Sequence, residues 1–334
     1  VGNAYQSGSA YPVKVDDLED AIALSAGDNY TCAVEGTDGY CWGSGQAGQL
    51  GNGNNQMEGT PASVFSGALK VVAGNWHTCA ITLQGQISCW GANVYGQIGN
   101  GTTTDSNSPV PVSLGWTAVD VTARWNHSCA AHQDGTVYCW GWNRYGQLGR
   151  GDLLDQLSPK PASGTILNEV VVQVAAGMHH TCALDQDGGV WCWGRNNYGQ
   201  IGDPYAQQDQ CGSDVECVLE PHRVPYQPSG VVSSIAVGHD HTCALSQDTM
   251  YCWGKNWHGQ LGDGQGGPGA EEKQPKPVTQ NNPAFVSITA GGEHTCAIDG
   301  EGKAYCWGQN EQDQVGGTAD ATQLVPFAVP DPSP

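Results

Sequence analysis

Fourteen cysteines are the residues of this 334-residue chain with the most chemistry to offer, and their spacing decides which chemistry. Twelve fall into six pairs, Cys32/Cys41, Cys79/Cys89, Cys129/Cys139, Cys182/Cys192, Cys243/Cys252 and Cys296/Cys306, each nine or ten positions apart. A zinc site calls for a short C-x-x-C knuckle with a second ligand pair nearby, and no pair has that form. Between paired cysteines runs an alternating segment broken by turn residues, such as CAITLQGQISC, which reads as a hairpin whose cross-strand cysteines face each other. Disulfides are therefore expected, with reduced core thiols as the competing reading. Each would close a loop worth at most about 2.5–3 kcal/mol. Cys211 and Cys217 sit apart from the pattern, in a polar insertion over 203–220, where a bridge would clip the loop DQCGSDVECVLE.

Histidine is the second candidate chemistry. His77, His127, His180, His241 and His294 recur at one position of a repeat, and Tyr30 takes that place in the first unit. A shared metal is not expected, because equivalent residues of adjacent units stand too far apart to bind one ion. Each histidine is expected instead to hydrogen-bond the backbone of its neighbouring unit. His179, His180, His239 and His241 come from consecutive units and leave a local two-unit metal site as the alternative. The acids, among them Asp16, Asp17, Glu19, Asp20, Glu271, Glu272 and Asp320, scatter over turns and termini and form no pair for acid–base work. There is no G-x-S-x-G elbow, phosphate loop or D-x-D-G calcium loop. No catalytic residue, cofactor or metal is expected.

Binding residues are sought among positions that vary between repeats. Following each Trp-Gly the chain offers Tyr95, Trp142, Arg144, Tyr145, Arg195, Tyr198, Lys255, Trp257 and His258. Before each His-Thr-Cys it offers Trp76, Trp125, His179, His239 and Glu293. Aromatic residues and arginine dominate binding hot spots. Trp76, Trp125, Trp142, Tyr145, Arg195, His179, His239, Trp257 and His258 are the candidate binding residues, with Trp142 and Trp257 foremost because they break the repeat. The insertion over 203–220 is the candidate specificity element.

These residues need elements to hold them, and the repeat supplies those. First cysteines at 32, 79, 129, 182, 243 and 296 mark a unit of about 50 residues. Each unit holds a β-branched run such as VVVQVAAG, a His-Thr-Cys-Ala strand, a run closing on Cys-Trp-Gly, a glycine-rich N-x-Y-G-Q-L-G turn and a proline-punctuated run such as SPVPVSL. Hairpins are placed near 30–43, 77–91, 127–141, 180–194, 241–254 and 294–308. Proline restricts the last run to a sheet edge. Four short strands per unit cannot bury their own faces, so they stack around an axis. The chain is expected to be all-β, a single six-bladed β-propeller of four-stranded blades over 1–334. Proline-edged runs at both ends, YPVKV at 11–15 and VPFAV at 325–329, make seven outer runs for six hairpins. One terminal run is expected to complete a blade begun at the other end. A seven-bladed ring with one incomplete blade is the alternative.

Composition agrees: 48 glycines match many turns, and 12 tryptophans with 12 tyrosines can fill a core. No apolar run is long enough for a membrane helix. A formal charge of −21 repels phosphate backbones, so neither nucleic acid nor membrane insertion is expected. Six disulfides require an oxidising compartment, so a secreted, periplasmic or cell-surface protein is expected. The sequence opens at Val1 without a charged and apolar leader, so any secretion signal is expected either to have been removed or never to have been part of this sequence.

The combination G-x-x-H-T-C-A-L, then G-x-V-x-C-W-G-x-N-x-Y-G-Q-L-G, then P-x-P-V resembles the repeat of the regulator of chromosome condensation family, recurring six times over roughly 10–330. The resemblance implies a β-propeller, typically seven-bladed in that family, and this chain departs in offering six hairpins and paired cysteines. Of the family's roles, chromatin binding sits badly with the acidic charge, and the cysteines argue against a cytosolic partner. A photoreceptor of the plant ultraviolet-B type needs a lattice of Trp and Arg that GMHHT, GHDHT and GGEHT do not supply. A secreted family member that caps an enzyme with one propeller face fits best. The expectation is a monomeric, non-catalytic recognition module for a protein or peptide. Carbohydrate or wall-polymer binding through exposed tryptophans is the alternative, and an enzyme using the central funnel a third.

Overall fold

The recurring hairpin forms at every repeat, with its cysteines directly opposed. In blade 3, for example, strands His127–His132 and Val137–Gly141 pair antiparallel with Cys129 across from Cys139. The same register recurs in the other five. In this computed structural model the cross-strand disulfides are Cys32–Cys41, Cys79–Cys89, Cys129–Cys139, Cys182–Cys192, Cys243–Cys252 and Cys296–Cys306, all with Cα atoms 4.1 Å apart. Such close Cα pairs are the non-hydrogen-bonded positions of an antiparallel ladder, where opposed side chains approach nearest. Cys211–Cys217, at 6.1 Å, is the seventh bridge, and no cysteine is free, so the reading as reduced core thiols falls away. Opposed residues share a face of the sheet, so Cys41, Cys89, Cys139, Cys192 and Cys252 enter the same apolar clusters as their partners. Cys306 is likewise buried. All of these cysteines but the half-buried Cys296 are buried structural core.

The structure describes residues 9–164, 169–206, 209–212, 215–225, 230–247, 249–279, 283–317 and 320–330. They form six antiparallel sheets, spanning 21–66, 68–111, 118–161, 171–223, 232–277 and 285–328, which are blades 1 to 6 of an all-β, six-bladed propeller. The four main strands of each blade follow chain order. The β-branched run lines the axis, and the proline-bearing run is outermost, where missing N–H donors leave no ladder bond unmade. Blade 4 gains a short fifth strand, Asp209–Gln210, beyond its outer strand Glu216–Arg223.

Every strand has one face toward each neighbouring blade, so alternate residues serve different junctions. Cys79, Ile81 and Val72 of blade 2 pack toward blade 3, while Val71, Ala80 and Trp90 pack back on blade 1. Trp90, Trp140, Trp193, Trp253 and Trp307 are fully buried at these junctions. Each indole donates to a main-chain carbonyl in the preceding blade's glycine-rich turn, Trp140 to Gln97 at 2.8 Å and Trp193 to Gln147 at 2.9 Å. The turn glycine is obligatory here. Gly51, Gly99, Gly149, Gly202 and Gly262 have φ of 70–86°, and an added Cβ would come within 2.5–2.8 Å of the next blade's indole nitrogen.

The termini correct one expectation. No blade is shared between the two ends: blade 1 is built wholly from 21–66 and blade 6 wholly from 285–328. The run at 11–15 is not a strand, so no seventh sheet exists among the described residues. That segment instead lays Val15 and Leu18 against Trp42 and Ala33 of blade 1. A proline-bearing run needs a partner strand to be an edge, and both candidate edges are already taken by outer strands of their own blades.

Candidate functional site

Two short loops of each blade meet at one end of the hairpin, one before the histidine and one after Cys-Trp-Gly. The glycine of Cys-Trp-Gly joins them. It has φ between 99° and 108° in all six blades, and a Cβ there would stand 2.4–2.6 Å from the carbonyl of the residue preceding His or Tyr30. With no side chain in the way, that carbonyl accepts the next backbone N–H: Trp142 to Asn126, Arg195 to His179 and Lys255 to Asp240, each at 2.9 Å. The two variable positions are thus held side by side on one rim. In the following turn, Asn143 and Gln147 side chains accept the N–H groups of Leu148 and Tyr145, which fixes where Tyr145 stands.

On blades 3 to 5 these pairs merge into one aromatic and cationic cluster. His179 lies 4.6 Å from the ring of Tyr145, 5.4 Å from Trp142 and 6.2 Å from Trp125, between ring centroids. Trp125 also meets His239 edge-on at 6.1 Å, and Tyr95 of blade 2 packs on Trp142 at 5.6 Å. Arg195 sits 5.7 Å from the ring of Tyr145 and 5.5 Å from that of Tyr198. Lys255 is 4.6 Å from the ring of Trp257, itself beside Tyr198 at 5.8 Å. These spacings lie within the range where ring quadrupoles attract cations and other rings.

Carboxylates complete the electrostatics. Glu293 pairs with Lys255 at 2.7 Å, and Asp240 stands 3.9 Å from Arg195 and 3.3 Å from the Gln200 amide. Burial raises the Asp240 carboxyl above its usual range, with Arg195 and Lys255 opposing. Burial also holds His179 down to about 3, with Arg195 adding to the effect, and His239 down to about 4. Both are neutral rings at neutral pH and act as aromatic surface. Trp125 takes φ 47°, a conformation that costs a bulky residue on the order of 1–3 kcal/mol and marks sites where geometry is enforced.

Seven of the nine candidate binding residues therefore converge: Trp125, Trp142, Tyr145, His179, Arg195, His239 and Trp257. Trp76 is exposed on blade 2, and its carbonyl receives the Ala92 N–H. His258 takes the tyrosine position of its turn and contributes a backbone N–H to Gln260. Asp240 was not among the candidates, although it fills the same slot before histidine as His179 and Glu293. The insertion places Cys211–Cys217 at the outer edge of blade 4, where Cys217 is the ladder partner of Arg195, with Tyr205 80% exposed; residues 207, 208, 213 and 214 lie outside the described part.

The repeat histidines do something else. His77, His127, His180 and His241 reach not a backbone group but a hydroxyl of the next blade: Ser128, Thr181, Thr242 and Thr295, at 2.9–3.0 Å. Each hydroxyl donates in turn to the turn glutamine carbonyl of the histidine's own blade, Thr181 to Gln147 at 2.8 Å. A hydroxyl that gives its one proton to a carbonyl must accept from the ring, so Nε2 carries the proton. Burial depresses these rings to about 4 for His77 and about 3 for His127 and His180, and well below the ordinary value for His241. His180 and His241 thus point into junctions while His179 and His239 point at Trp125, which parts the four residues of the two-unit metal site. Along the axis, a cavity of about 750 Å³ holds polar groups tied to its wall: Arg124 donates across to the Ala290 carbonyl at 3.2 Å, and Asp28 accepts from Asn75 at 2.8 Å.

A disulfide-stapled β-propeller with a hydroxyl relay at each packed junction and an aromatic rim is the class that fold and site define. The chain belongs to the RCC1-like domain family, whose signature matches residues 22–333. It is 31% identical to the ultraviolet-B receptor UVR8 of Arabidopsis thaliana over 329 residues, covering 94% of this chain and 71% of that one. Among solved structures it is similar to yeast RCC1 (Prp20) bound to Kap60, with a TM-score of 0.80 at 25% identity over 93% of this chain and 75% of that chain. Human WBSCR16 shares the fold, with a TM-score of 0.82 at 24% identity over 96% of this chain and 84% of that chain.

Proposed function

We propose that this chain is a non-catalytic recognition module of an oxidising, extracellular compartment, acting as a monomer that docks a protein or peptide on the rim of blades 3 to 5. The observation that carries the reading is the continuous cluster from Trp125 through His179, Tyr145 and Arg195 to Lys255 and Trp257. Rigid aromatic rings and a preorganised guanidinium lose little entropy on docking. The family relation supports it, since yeast RCC1 is solved bound to Kap60 and studied for binding to Gsp1p and histones, all proteins. Seven disulfides support the compartment, and no helix among the described residues is long and apolar enough to cross a membrane.

Carbohydrate binding is the second reading, favoured by Trp257, which is 38% exposed. Sugar stacking needs a free ring face, and Lys255 already lies 4.6 Å from that ring, while Trp142 is flanked by Tyr95, Tyr145 and His179. The protein reading is preferred on that ground. A glycan array separates the two: saturable binding lost in Trp257→Ala supports sugar recognition, and a blank array alongside a co-purifying extracellular protein supports protein recognition.

A further inference from the structure

Five of the six inner strands run into the same glycine, Gly27, Gly74, Gly177, Gly238 and Gly291, whose N–H donates to the carbonyl of the repeat histidine or, in blade 1, of Tyr30. The position is tight. At Gly27, Gly177 and Gly238 an added Cβ would lie 2.4–2.8 Å from the carbonyl oxygen of the next blade's glycine. Blade 3 alone puts a side chain there, Arg124, three residues before His127 and paired with it. The backbone shifts to suit. Trp125, the next residue, takes φ 47°, whereas none of its counterparts Asp28, Asn75, Met178, His239 and Gly292 has a positive φ. A long charged side chain in a glycine slot, beside a bulky residue in the left-handed region, is strain of the kind that persists where it serves a function.

Arg124 lines the axial cavity of about 750 Å³, together with Asp28, Asn75 and His239 from the corresponding loops of three other blades. A guanidinium carries five N–H donors. One goes across the axis to the Ala290 carbonyl at 3.2 Å, and the described residues supply neither a second acceptor nor a carboxylate in ion-pair contact. Other charges on this wall are matched: Lys70 pairs with Asp120 and Glu293 with Lys255, each at 2.7 Å. Asp28 accepts from Asn75 at 2.8 Å and acts on Arg124 only through space. Burial pulls the guanidinium below its ordinary range with Asp28 opposing, and raises the Asp28 carboxyl with Arg124 opposing.

We infer that the axial mouth is a binding site for a carboxylate, anchored by Arg124. The planar fork of a guanidinium matches the two oxygens of a carboxylate and makes short charge-assisted bonds to it. A phosphate dianion fits less well, because Arg124 is the one unpaired cation on the wall among the described residues and Asp28 opposes a second negative charge. Trp125 joins this mouth to the aromatic rim, so the carboxylate comes from a free acid in the channel or from an acidic side chain of a protein seated above it. The site does not require that docking.

The test is titration with glutarate at constant ionic strength, read by calorimetry and by tryptophan fluorescence, with glutaramide as the uncharged control. Arg124→Gly restores the glycine of the other blades, and Arg124→Gln keeps a donor for the Ala290 carbonyl while removing the charge; near-ultraviolet circular dichroism checks that both fold. Expected are saturable binding of glutarate and none of glutaramide, weakened by about tenfold or more in both variants, and tightened in Asp28→Asn, which removes the opposing charge. A blocked pentapeptide with one central glutamate, beside its glutamine twin, identifies the source. Binding of the glutamate peptide at least as tight as that of glutarate assigns the site to a side chain of a docked protein, and binding of glutarate alone assigns it to a free acid. Absence of saturable binding by both, equal binding of glutaramide, or undiminished affinity in Arg124→Gln would reduce Arg124 to a strut between blades 3 and 6 and overturn the inference.

Discussion

At the residue scale, the hydroxyl between two blades is the smallest unit on which the fold depends. Thr181 accepts from His127 and donates to Gln147, so Thr181→Val keeps the shape and leaves the His127 N–H without an acceptor, while the Gln147 carbonyl keeps the Trp193 indole. The expected cost is about 1–3 kcal/mol in denaturant unfolding, and an unchanged midpoint would remove the relay from the account. The histidines predict the pH dependence. Their folded pKa values, about 3 to 4 for His77, His127 and His180, lie below the unfolded value near 6.5. The unfolded chain therefore binds more protons between those limits, and stability is complete above pH 6.5 and falls as pH drops toward 4, by on the order of 3 kcal/mol per histidine. A melting temperature flat from pH 7 to pH 4.5 would contradict this. The position of these histidines was legible in the sequence, but their partner was not. In His-Thr-Cys the two polar neighbours serve opposite junctions: His77 reaches forward to Ser128, while Thr78 reaches back to Gln49. Only the three-dimensional alternation of a strand separates them, and the partner lies 51 residues away.

At the scale of the element, the hairpin and its two loops form one device. Gly141→Ala would force a Cβ to 2.5 Å from the Asn126 carbonyl at φ 99°, pushing apart the loops that carry Trp125 and Trp142. Loss of stability by about 1–3 kcal/mol is expected together with altered near-ultraviolet circular dichroism of the tryptophans. Tryptophan bonds give a paired comparison. Trp140→Phe removes a donor to the Gln97 carbonyl and should cost more than Trp42→Phe, whose indole has no acceptor among the described residues; equal costs would deny that this bond contributes to a packed junction. Hairpins, outer strands and bridged cysteines were all readable, because each rests on local spacing: Cys32 and Cys41, or Cys296 and Cys306, need only one tight turn between them to meet. Convergence of Trp125, His179 and His239 from three blades was not, since no sequence pattern records which loops share a rim. The run at 11–15 misled because proline marks an edge without saying whether a sheet is there to receive it.

At the scale of the whole molecule, six staples divide the stabilisation among blades, and the rim of blades 3 to 5 is the proposed docking surface. Native protein should show no thiol reactive to iodoacetamide, with all fourteen appearing only after unfolding and reduction. Free thiols in the folded chain would place it in a reducing compartment and undercut an extracellular role. Recognition itself is tested by capture. Immobilised wild-type chain, the Trp142→Ala/Arg195→Ala double variant and a control altered on the outer strand of blade 6, Leu324→Ala, are exposed to the extracellular protein fraction of the organism that makes the chain. A protein retained by wild type and control, and weakened by about thirtyfold or more in the double variant, is the predicted result for a hot-spot rim. Equal retention by all three would contradict the claim that this rim is where the molecule binds.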